Sequence, residues 1–321
     1  MKDYPERLRF GKNEPARRAP ITCISVAPAT VQAYVNAMMA LTFPHIAAAG
    51  LLAGSIVFLS PSSAPAADET AWDGDANSAM RLVASVGGAH EAAGFQVGLE
   101  IRLAPGWKTY WRYPGDSGVP PRFDFSRSQN VKDVTVLWPA PARFNDGSGS
   151  AIGYAANVVF PLRVVPINPQ APSVVTVKID YGVCEKVCIP VDATATLTLS
   201  PQGSVHGRRL RAAESRVPRP TTLAAAGALA VSAVHMERGE RPRVVVDVKA
   251  PDGAAVDLFA EGPSADWALP LPEPIAGGAA GTRRFAFELD GLPSGASAKD
   301  ARLTLTAVTA DDAIEVAIRL D

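Results

Sequence analysis

From about residue 67 onward, apolar and polar positions alternate with period two rather than recurring every three or four residues. GFQVGLEIRL places Phe95, Val97, Leu99, Ile101 and Leu103 on one face. DVTVLW, VVFPLRVV, VVTVKIDY and TATLTL follow, each bounded by Gly, Pro, Asn or Asp, as strands between turns are. No convincing amphipathic helix appears. Short strands at this spacing predict an all-β, antiparallel sandwich. The polar, Pro-flanked stretch PQGSVHGRRLRAAESRVPRP interrupts the alternation with five arginines and reads as an interdomain linker. Strands resume after it in RVVVDVK, AVDLFAE, RRFAFEL, ARLTLTAV and AIEVAIRL, which predicts a second sandwich. The expected organisation is an N-terminal extension with a signal segment over 1–67, a first sandwich over 68–204, a linker over 205–222 and a second sandwich over 223–321.

Composition narrows the class. A formal net charge of -1 with 20% charged residues gives no electrostatic footprint for nucleic acid. Ile46 to Leu59 is an uncharged apolar run, shorter than the ~20 residues a membrane-spanning helix needs. It fits the apolar region of a secretory signal, and Ala64-Pro65-Ala66 supplies the small-x-small cleavage pattern. The mature chain is then expected to start near Ala67 or Asp68, outside the cytoplasm and not inserted in the membrane.

Processing also simplifies the thiols. The chain has three cysteines, and Cys23 precedes the signal segment. Cys184 and Cys188 remain, four positions apart in YGVCEKVCIP, in a compartment where disulfides persist. If the flanking segments form a hairpin, Glu185-Lys186-Val187 is a three-residue loop and the two cysteines face each other across it. Three readings stand at this point: a redox couple, a structural disulfide, or a thiolate pair for Cu(I). So small a loop gains little stability from closure, which favours the redox couple. No other chemistry is legible. The histidines lack metal spacing, GSGSAIG lacks the GxGxxG spacing and has no following helix, and no cofactor is implied. In WKTYWRY, a strand puts Trp107, Thr109, Trp111 and Tyr113 on one face and Lys108, Tyr110 and Arg112 on the other, read as a core face and an outer face.

GWKTYWRYPGDSGVPPRFDF followed by YGVCEKVCIP resembles the periplasmic N-terminal domain of the DsbD and ScsB thiol:disulfide interchange proteins, over about residues 80–200. EGPSADWALPLPEP is similar to the second sandwich of the ScsB type. The resemblance implies immunoglobulin-like sandwiches and a cysteine pair, here Cys184 and Cys188, that takes electrons from a membrane-embedded thiol reductase and passes them to periplasmic thioredoxin-like proteins. The spacing of the pair is narrower than in the best-known DsbD domains. No transmembrane bundle and no thioredoxin-like CxxC domain are present in the sequence, so electrons are expected from a separate protein. The resemblance also implies an aromatic cap over the pair, on a loop matching ARFNDGSGSAIGY, with Phe144 as first candidate and Tyr154 as second; Gly147, Gly149 and Gly153 would give that loop freedom to move. The competing class is a non-enzymatic sandwich with a static disulfide or Cu(I) pair that docks a redox or copper-handling partner.

Overall fold

The chain's structure, a computed structural model, describes residues 68–84, 94–115, 118–145, 149–199 and 206–321. The signal segment, its cleavage site, Cys23 and Gly147 lie outside the described residues.

The period-two pattern resolves into two stacked pairs of sheets. The first sandwich comprises β1 (Asp73–Gly74), β2 (Ser78–Ala84), β3 (Phe95–Leu103), β4 (Lys108–Gly115), β5 (Arg122–Asp124), β6 (Val131–Val136), β7 (Ala142–Asn145), β8 (Ser150–Tyr154), β9 (Val158–Pro166), β10 (Ser173–Cys184) and β11 (Cys188–Leu199). One sheet runs β1-β2-β3-β9-β6; the other runs β11-β10-β4-β8-β7, with β5 also paired to β10. After it come α1 (Gly207–Glu214) and β12 (Arg219–Thr221), then β13 (Ala230–Glu237), β14 (Arg243–Lys249), β15 (Asp257–Glu261), β16 (Glu273–Ile275), β17 (Thr282–Glu288), β18 (Arg302–Val308) and β19 (Ala313–Arg319). These build sheets β12-β19-β18-β15 and β13-β14-β17-β16. Pairing is antiparallel except between β12 and β19. The architecture is two immunoglobulin-like β-sandwiches, as the alternation and the resemblance predict.

Alternation marks the buried face of β3 correctly: Phe95, Val97, Leu99, Ile101 and Leu103 are all buried. The opposite face departs from it, because Glu100 is only 2% exposed. The cause is α1, which lies in the stretch that the sequence reads as an interdomain linker. Leu210 packs against Gly98, and a Cβ at Gly98 would collide with its Cδ2. Arg209 Nε pairs with Glu100 Oε1 at 2.6 Å, and Arg81 Nε with Glu100 Oε2 at 2.8 Å. The segment after α1 is also ordered, since Arg219–Thr221 pairs with β19. The stretch expected to separate the sandwiches is thus bound to both.

Between the sandwiches the core is continuous, running from Trp111 and Ile152 to Phe259 and Trp267. The fold positions the cysteine hairpin at one end of the second sheet, beside β4.

Candidate functional site

β10 and β11, each 12 residues long, pair along their whole length and finish on the pair Cys184↔Cys188. The three-residue loop Glu185 to Val187 closes the hairpin, as the spacing predicts. Facing positions at the end of an antiparallel ladder lie within disulfide reach. Here the Cα atoms are 4.1 Å apart and the sulfurs are bonded. The two cysteines differ in environment. Cys184 is 1% exposed, whereas Cys188 and the loop lie in solvent.

What buries Cys184 is β4. Lys108 and Thr109 pair with Cys184 and Val183, which brings the next residue, Tyr110, over the disulfide. Its hydroxyl donates to Cys184 Sγ at 2.7 Å and lies 3.3 Å from Cys188 Sγ. The Tyr110 ring is fully buried in a slot walled by two glycines. A Cβ at Gly182 would sit 3.4 Å from its Cε2, and one at Gly118, where φ is +114°, would overlap the ring itself. Tyr110, Cys184 and Ala151 form a small buried cluster separate from the main core, with Phe144 packed against it.

Phe144 therefore reaches the pair through Tyr110, with ring centroids 6.2 Å apart and a 38° tilt. Lys108 Nζ lies 5.6 Å from the Phe144 centroid. Tyr154 is elsewhere. It lies three residues beyond Ala151 on β8, so it points to the opposite face. It is buried in the main core, donates to the Pro139 carbonyl at 2.9 Å and meets Phe160 edge-on at 5.5 Å. Burial pushes its phenol well above the ordinary tyrosine range, against the pull of Arg112. The expected cap loop is mostly a hairpin, with β7 paired to β8. Gly153 serves close packing: a Cβ there would collide with the Thr109 carbonyl and lie 2.7 Å from Tyr110 Cα.

Tyr110, Ala151, Gly118 and Gly182 carry the site and were not singled out by the sequence. The signal for Tyr110 was its place on the face of WKTYWRY opposite Trp111, which reads as solvent-facing until the segment at Gly118 and Val119 folds over it. Among the described residues, no cluster of three or more His, Cys, Asp or Glu could hold a metal ion.

Fold and site together define an immunoglobulin-like β-sandwich protein with a disulfide at the tip of a hairpin, one sulfur buried under a tyrosine. Residues 82–200, within the first sandwich, match the family described as thiol:disulfide interchange protein DsbD, N-terminal. The whole fold is similar to the crystal structure of the N-terminal periplasmic domain of ScsB from Proteus mirabilis, with TM-score 0.62 and 22% identity over 79% of this chain and 98% of that one. No curated protein sequence matches.

Proposed function

We propose that the first sandwich is a periplasmic thiol:disulfide exchange module that relays electrons between a membrane-embedded thiol reductase and thioredoxin-like proteins. The observation that carries this reading is the asymmetry of the pair: an exposed Cys188 bonded to a buried Cys184 whose sulfur accepts the Tyr110 hydroxyl. A disulfide kept only for stability has no need of such a donor. The family match and the periplasmic origin of the ScsB domain support the same function and compartment.

The chemistry follows from the geometry. A partner thiolate attacks Cys188 Sγ, the accessible sulfur, and forms a mixed disulfide as the Cys184–Cys188 bond breaks. Cys184 leaves as a thiolate, and the Tyr110 hydroxyl is placed to donate to it. Charge strengthens that hydrogen bond. The partner's second thiolate then attacks its own sulfur in the mixed disulfide and releases Cys188. Two electrons and two protons pass to the pair, and the partner dithiol becomes a disulfide. The reverse sequence passes the electrons on. Phe144, packed on Tyr110, acts as the cover of the site.

The reduction potential tests the function. Protein released from the periplasm is expected to carry the disulfide and to equilibrate with thioredoxin-like dithiols at a potential above about -300 mV, the level below which structural disulfides of secreted proteins lie. A lower potential, with no exchange over hours, would establish a static bond.

A further inference from the structure

The first sandwich holds its disulfide cover on two segments that its own ladders secure only in part. β4 pairs with β8 at Thr109 and Tyr110, then not again until Gly115. Trp111, Arg112 and Tyr113, which follow Tyr110 directly, are therefore outside that ladder. β7, which carries Phe144, is a four-residue strand at the edge of its sheet, bonded on one side only.

Both segments are gripped by the second sandwich. Trp111 packs on Phe259 with centroids 5.9 Å apart. Tyr113 donates its hydroxyl to the carbonyls of Trp267 at 2.7 Å and Leu269 at 3.0 Å. Arg112 reaches Glu261 through two nitrogens, at 2.8 and 2.7 Å, and also pairs with Glu315. Burial alone would lower the pKa of its guanidinium, but the hydrogen bonds and charges of the two carboxylates outweigh this and hold it above its usual value. On β7, Arg143, the neighbour of Phe144, meets Glu273 at 2.5 Å, Asp257 at 3.0 Å and the Pro272 carbonyl at 2.7 Å. Each aromatic residue over the disulfide thus has, as a near neighbour in sequence, an arginine tied to two carboxylates of the other sandwich.

We propose that the second sandwich sets the reactivity of the cysteine pair, with Arg112 and Arg143 as positioning residues that hold Tyr110 and Phe144 in place over the disulfide. This inference rests on the exchange reading above and supplies the second sandwich with a role in it. Short edge segments open locally at low cost unless something beyond the ladder holds them. The two arginines supply that hold through carboxylates of the second sandwich.

The test leaves the first sandwich unchanged and uses the full chain. Asp257→Asn with Glu273→Gln releases Arg143; Glu261→Gln with Glu315→Gln releases Arg112. The reduced proteins are treated with iodoacetamide, and their redox balance is read in glutathione buffers. Alkylation is expected to speed up roughly three- to tenfold, the scale of easing a local opening held by partly buried ion pairs. Asp247→Asn removes an Arg284 pair inside the second sandwich, away from β4 and β7, and is expected to leave the alkylation rate unchanged. Unchanged rates in both released variants would overturn the proposal. So would rates that simply track the loss of global stability, with Asp247→Asn following the same line. Exchange of the unaltered protein with dithiothreitol reads the proposed function separately, because alkylation reports the cover whether or not the pair exchanges.

Discussion

The hydroxyl of Tyr110 has a different value to the pair in its two redox states. A donor gains more from a thiolate than from a neutral disulfide, so it stabilises the reduced form relative to the oxidised one. Tyr110→Phe keeps the ring in its glycine slot and removes only that preference. The potential is expected to become more negative by about 20–40 mV, from a hydrogen bond worth about 1–2 kcal/mol in a two-electron couple. Equilibration with glutathione measures it, and a shift to a less negative value would assign the hydroxyl to the disulfide form. Phe144→Ala tests the cover. Because Phe144 is only partly buried, its loss is expected to cost well under the ~3–5 kcal/mol of a fully buried phenylalanine while speeding alkylation of the reduced pair. At this scale the sequence told half the story. The cysteines announce themselves by count and spacing, and Phe144 by resemblance. Tyr110 could not be read, because its burial comes from residues far along the chain, Gly182 and Cys184, and from the fold-over at Gly118.

Strands were the legible elements, since a half-buried strand writes its two faces directly into alternating residues. The exceptions have separate causes. α1 is eight residues long, buries only Gly207, Leu210 and Ala213, and has no side-chain hydrogen bond at its N-cap. Two apolar turns among arginines do not make a periodic signal. β7 and β8 read as a mobile loop because of their glycines. Yet Gly153 is there to let β8 approach the β4 backbone. Gly153→Ala is therefore expected to push the hairpin off Tyr110, at a cost on the scale of overpacking, about 1–3 kcal/mol. Denaturant unfolding checks the cost, and alkylation of the reduced pair should quicken in the same variant. A neutral substitution would return Gly153 to the role of hinge.

Across the whole molecule, ion pairs add a measurable dependence on pH. Asp247 takes two hydrogen bonds from Arg284, at 2.6 and 2.8 Å, and these hold its carboxyl below the usual range against the opposing effect of burial. A depressed folded-state pKa contributes stability above the unfolded value, about 3.9, and that contribution disappears as pH falls through the folded one. Asp247→Asn should therefore be less stable than the parent at neutral pH, with the gap narrowing below about pH 4 in parallel denaturant titrations. A gap independent of pH would assign the loss to packing. The hairpin of β10 and β11 has a different consequence for the molecule. Its ladder runs unbroken to the cysteines, so cutting the sulfur bond releases no strand and moves no domain. The oxidised and reduced forms are therefore expected to present nearly the same outline. A partner cannot sort them by shape before contact, and each docking is a blind trial decided by the sulfur chemistry itself. On the proposed exchange function, traffic through the pair would be governed by the difference in potential between the partners it meets, and it could run in either direction without being rebuilt.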